Sequence, residues 1–137
     1  MNSQKSAELT PEQINNIRKF IQTNLKNFYF YPNTNLKYRI EQDGRIVCFS
    51  PLTGRMSVLN PTMASIYLSL KETPGLEFYK IIENIAKKFE IEPKNIERDI
   101  QNAIIWLFTN GYINIKYDNT QISFVQLIQK YLGDGEE

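Results

Sequence analysis

Val58-Leu59-Asn60-Pro61 is the stretch on which the fold turns. Val58 and Leu59 close a short β-type run, Asn60 supplies a carboxamide N-cap, and Pro61 brings a φ already suited to a first helical turn. A strand therefore passes straight into a helix. Upstream, Leu36-Lys37-Tyr38-Arg39-Ile40 alternates apolar and charged residues, Asp43-Gly44 is a two-residue hairpin turn, and residues 45–49 return. Ser50-Pro51-Leu52-Thr53-Gly54 then turns the chain into Arg55-Met56-Ser57-Val58-Leu59. The pattern predicts a three-stranded antiparallel meander. Its edges would present rows of N–H and C=O groups that must be protected or used.

Three apolar-periodic segments follow. The first, residues 61 to 71, turns Met63, Ile66, Tyr67 and Leu70 inward and stops at Thr73-Pro74-Gly75. The second, residues 77 to 89, is expected to bury Phe78, Ile81, Ile82, Ile85 and Phe89. The third opens at Glu92-Pro93 and runs to Thr109, with Ile96, Ile100, Ala103, Ile104 and Leu107 on one side and Gly111 as its C-terminal break. Residues 112–117 alternate like a strand and Asp118-Asn119 can turn it, so one wing strand is clear.

Outside this block, Thr10-Pro11-Glu12-Gln13 is a helix opening with capping-box spacing. The helix it starts, residues 11 to 27, carries one apolar stripe of Ile14, Ile17, Ile21, Leu25 and Phe28. Phe28-Tyr29-Phe30-Tyr31-Pro32 and Asn33-Thr34-Asn35 read as an aromatic linker or irregular lid. A last amphipathic helix, residues 123 to 131, groups Phe124, Leu127, Ile128 and Tyr131, and residues 133–137 read as a disordered tail. The whole is an α+β chain: a three-stranded antiparallel sheet followed by a three-helix winged helix-turn-helix bundle, with extra N- and C-terminal helices. Its expected divisions are residues 1–35, 36–117 and 118–137.

Composition excludes much chemistry. At 137 residues, 42% apolar and 12% aromatic, the chain supports one core of ordinary size. It contains no His, which removes the commonest general base and the commonest zinc ligand. The single Cys48, in the apolar run Ile46-Val47-Cys48-Phe49, reads as a buried inert thiol in a reducing, cytoplasmic setting. No apolar run approaches the roughly eighteen residues a membrane span needs. Glu97 and Asp99 on one helix read as a solvated face, and no Gly-rich phosphate loop or cysteine cluster exists. The expectation is a non-enzyme without cofactor or metal. Charge is uneven: residues 1–40 carry Lys5, Arg18, Lys19, Lys26, Lys37 and Arg39 against Glu8 and Glu12, which is either a solvated helix face or a docking surface for an acidic partner.

The run Gly54-Arg55-Met56-Ser57-Val58-Leu59-Asn60-Pro61-Thr62-Met63-Ala64-Ser65-Ile66-Tyr67 resembles the strand-to-helix signature of PqqD-like proteins. Ile91-Glu92-Pro93-Lys94-Asn95-Ile96-Glu97-Arg98-Asp99-Ile100, ending at Leu107 and Gly111, is similar to that family's third helix. The resemblance spans residues 36 to 115 and rests on order and spacing; Ala103 and Glu92 depart from it. It implies a recognition element that holds the leader segment of a ribosomally made precursor peptide and presents it to a modifying enzyme such as a radical SAM maturase. A leader would add as a strand at residues Arg55, Met56, Ser57, Val58 and Leu59, with pockets toward the third helix. On that helix, Asp99, Ala103 and Trp106 flank the core stripe on one side, Glu97, Gln101 and Phe108 on the other, and either flank can line the groove. Either Met56 with Val58 or Ser57 with Leu59 faces the core. The partners expected are a leader peptide and its enzyme, with no nucleic acid and no membrane, on a monomer or weak homodimer. The N-terminal helix is either an enzyme-docking arm or a cover over the groove.

The competing reading is a winged-helix DNA-binding regulator. Such a protein needs cations on its recognition helix, but Lys94 and Arg98 are cancelled by Glu97 and Asp99.

Overall fold

The computed structural model describes residues 10–117 and 119–136, with side chains through residue 130 except at 117. Among these residues the protein is α+β, with five α-helices and two antiparallel sheets. Helix α1 (Pro11–Asn24) begins with the expected capping box: the Gln13 amide donates to Thr10 Oγ1 at 3.1 Å and the Thr10 amide to Gln13 Oε1 at 2.9 Å. A 3-10 turn, Leu25–Asn27, ends it. Ile17, Ile21, Leu25 and Phe28 are buried as the stripe requires, but Ile14 is exposed, because it sits in the first turn where the helix reaches past the core.

The aromatic run is not a linker. Tyr29–Pro32 forms strand β1, which alternates Phe30 and Pro32 inward with Tyr29 and Tyr31 outward. It pairs antiparallel with β6 (Ile113–Tyr117) on one side and with a two-residue strand, β5 (Leu76–Glu77), on the other. The helix-breaking segment beyond Asn110-Gly111 supplies two strands, since β7 (Thr120–Ile122) pairs back on β6 and gives the order β5-β1-β6-β7. The expected turn at 118–119 falls partly outside the described residues; Asn119 adopts a positive φ of 63°.

The second sheet is the expected meander: β2 (Tyr38–Ile40), β3 (Ile46–Phe49) and β4 (Met56–Leu59), in that order. From β4 the chain enters α2 (Pro61–Glu72), where Asn60 Oδ1 accepts from the Met63 amide at 2.9 Å. Helices α3 (Phe78–Phe89) and α4 (Pro93–Thr109) follow, and α5 (Phe124–Glu136) closes the chain. Residues 133–136, expected to be disordered, belong to α5. Phe89 also departs from expectation. It is 36% exposed, because α3 ends there and Glu90 takes a left-handed conformation that swings the chain toward α4.

One core joins these parts: Ile17 and Ile21 of α1, Phe30 of β1, Ile46 and Leu59 of the meander, Tyr67 of α2 and Ile104 of α4 belong to it. Asn33, just after β1, ties the two sheets' surroundings together. Its amide donates to the Tyr112 carbonyl at 2.9 Å, its Nδ2 to the Gly111 carbonyl at 2.9 Å, and its own carbonyl accepts from the Tyr67 hydroxyl at 2.8 Å.

Candidate functional site

Register decides what β4 offers. The Ser50 amide donates to the Arg55 carbonyl at 2.8 Å, so Ser50 and Arg55 form a hydrogen-bonded pair at the start of the ladder. Bonded and non-bonded pairs alternate between antiparallel strands. Cys48↔Ser57 and Ile46↔Leu59 are then the bonded pairs, while Phe49↔Met56 and Val47↔Val58 are not. The N–H and C=O of Met56 and Val58 therefore point away from β3. No strand among the described residues pairs with that side, so β4 is an open edge of the sheet.

The same register sorts the side chains. Ser57 and Leu59 face inward, Leu59 being 0% exposed, whereas Met56 at 69% and Val58 at 50% face out. This settles which pair is core. Arg55 is exposed at the strand's start and makes no ion pair among the described residues.

Helix α4 meets β4 through an aromatic relay. Trp106, 38% exposed, stacks on Tyr112 with ring centroids 5.6 Å apart and planes 12° from parallel. The Tyr112 phenol in turn lies near the side chains of Ser57, Cys48 and Ser50. Burial pushes this phenol above its ordinary range, and the Ser57 side chain works the other way. Burial likewise raises the Cys48 thiol, which donates weakly to the Ser57 carbonyl at 3.7 Å. The Leu52 and Pro51 side chains lie 3.2 to 3.3 Å from where a Cβ on Gly111 would sit, and Gly111 has φ +85°. Glycine at this one position lets the β3–β4 turn rest against the end of α4.

The two flanks of α4 now separate. On one, Phe108 is buried and packs edge-to-face on Phe124 of α5 at 5.5 Å, so the C-terminal end of that side is covered by the protein's own last helix, while Glu97 is exposed. On the other, Asp99 is exposed, Ala103 is buried and Trp106 is half open. Tyr112 was not picked out from sequence, although an aromatic directly after a helix-ending Asn-Gly is a signal that the chain turns a ring back under the helix. Among the described residues no group of three or more His, Cys, Asp or Glu side chains comes together as a metal site, and no helix is long and apolar enough to cross a membrane.

Fold and edge together define an α+β protein that leaves one strand of a small antiparallel sheet open beside a helix carrying a half-exposed tryptophan. No protein-family model and no curated protein matches the chain. It is similar to a solved structure of TbiB1 in complex with the TbiA(beta) leader peptide, at 19% identity and a TM-score of 0.46, over 56% of this chain and 86% of that one.

Proposed function

We propose that this protein is a peptide-binding adaptor that captures the leader of a ribosomally made precursor by strand addition to β4 and presents it to a modifying enzyme, of which a radical SAM maturase is the expected kind. The observation that carries this reading is the outward set of backbone groups at Met56 and Val58. Main-chain pairing there holds an extended chain whatever its sequence, and side chains on the alternate positions choose the partner. Arg55, Met56, Ser57, Val58 and Leu59 supply the strand. Asp99, Ala103 and Trp106 supply the facing flank of α4, a reading supported by the packing of Phe108, on the other flank, against Phe124 of α5. The PqqD-like order of residues between Gly54 and Tyr67 supports the same reading.

The test is calorimetric titration of the protein with the leader half of a small precursor peptide encoded beside its gene. Affinity is expected to be micromolar or tighter. Val58→Pro removes one outward N–H and should weaken binding by about tenfold. Absence of heat with the wild-type protein, or an undiminished affinity in the proline variant, would refute strand addition at this edge.

A further inference from the structure

The face of the meander that points away from the core is a second surface, formed by side chains and not by the backbone edge of β4. Its five side chains by register are Arg39, Val47, Phe49, Met56 and Val58. An antiparallel sheet with one face in solvent ordinarily alternates apolar inward with polar outward. Here the outward set is apolar but for Arg39, and Phe49 is 53% exposed. Two depressions meet on this face at a shared wall of Lys37 and Phe49. One, of about 310 Å³, lies between Lys37, Arg39, Val47, Phe49 and Met56. The other, of about 340 Å³, continues past Asn33, Asn35 and Pro51.

Charge says what fits there. Neither depression has a carboxylate in its lining. Lys37 makes no ion pair among the described residues, and Arg39, held by Glu41 at 2.6 Å, keeps its side chain 74% exposed. An apolar floor beneath two cations suits a segment that sets aliphatic or aromatic side chains next to carboxylates. We propose that this outer face docks an acidic, apolar segment of a partner protein. The two depressions share Lys37 and Phe49, toward β2, and reach β4 only at the outward side chain of Met56, whereas the leader would use the backbone edge of that strand. The docking site does not depend on the leader-binding reading.

A displayed library of random ten-residue peptides, selected on the full chain and counter-selected on the Lys37→Glu/Phe49→Ser double variant, tests the assignment. Both substituted side chains are exposed, and matching thermal melts of the variant establish that it is folded. Enriched peptides are expected to place Asp or Glu within two residues of Phe, Leu or Ile. A synthetic copy should lose about fivefold in affinity with either single substitution and weaken with added salt. Amide shifts in NMR spectra should centre on Lys37, Val47 and Phe49. Three results overturn the proposal: no peptide survives counter-selection; the survivors lack acidic residues; or sedimentation shows that the wild-type chain self-associates through this face and the double variant does not. The last would make the occupant a second copy, whose exposed Phe89-Glu90-Ile91-Glu92 turn has the matching chemistry.

Discussion

Trp106 lies within 12° of parallel to Tyr112, 5.6 Å between ring centroids, and Tyr112 is buried beneath it at 1% exposure. The tryptophan is thus both a packing residue and an exposed one, and the two roles are separable by substitution. Trp106→Ala removes the stack and should cost about 1 kcal/mol of stability, read from denaturant unfolding. Trp106→Phe should keep most of the stack while shrinking the exposed surface. If a leader covers this side of α4, its binding should shift the emission of the protein's lone tryptophan to shorter wavelength. An unshifted spectrum at saturating leader would place the peptide elsewhere.

The alternation of bonded pairs along β4 makes neighbouring residues unequal. Proline at 57 would delete an N–H that is bonded to Cys48 and should destabilise the protein by about 1 to 3 kcal/mol, whereas proline at 58 deletes an N–H that faces away from β3. Ser57→Pro is therefore expected to lower the melting temperature strongly and Val58→Pro only slightly. Equal melts for the two variants would contradict the register.

What sequence could read here was local. Asn60 and Pro61 mark the entry to α2 because cap chemistry and a fixed φ act within one turn, and Asp43-Gly44 marks the hairpin for the same reason. Strand β1 was hidden because Tyr29–Pro32 becomes a strand only through partners far away, Ile113 to Ile115 and Leu76 to Glu77. Its Pro32 and the Asn33-Thr34-Asn35 that follow argue locally for a turn. Two-residue β5 carries no periodicity at all. For the site, the strand itself was legible, but which of its faces met the core was not. That choice is made by the register with the cross-strand partners Phe49 and Val47, which the β4 residues do not encode.

The place of β1 decides what the N-terminal segment is for. Residues 11 to 33 contribute Ile17, Ile21, Leu25, Phe28 and Phe30 to the core and a strand paired on both sides. Deleting residues 1–33 should therefore abolish cooperative unfolding, seen as loss of the thermal transition. A truncated protein that still melts cooperatively but no longer associates with the modifying enzyme proposed above would instead mark this segment as a docking arm.

On α4, exposed Lys94 and Arg98 alternate with exposed Glu97 and Asp99. A helix with cancelling charge neutralises few phosphates, and each one neutralised contributes about 0.9 to the logarithmic salt slope of duplex binding. Fluorescence anisotropy with a nonspecific duplex should give weak binding with a slope below about two. A steep slope with tight binding at low salt would favour a DNA-binding protein.

Tyr67 lies wholly inside the core, and burial pushes its phenol from 10.0 up to about 12, while its hydroxyl donates to the Asn33 carbonyl at 2.8 Å. The folded state therefore holds this proton more tightly than the unfolded chain does. Its contribution to stability is complete below pH 10, declines between 10 and about 12, and is lost above that. Tyr112, also raised by burial, adds to the same alkaline loss. In a phenolate-absorbance titration, the last tyrosines to ionise should do so together with unfolding. Tyr67→Phe leaves the Asn33 carbonyl without its donor and should cost about 1 to 3 kcal/mol at neutral pH. The variant's stability should then fall less steeply between pH 10 and about 12 than that of the wild type. Parallel pH profiles for the two proteins would show that the Tyr67 hydroxyl is not the group being strained.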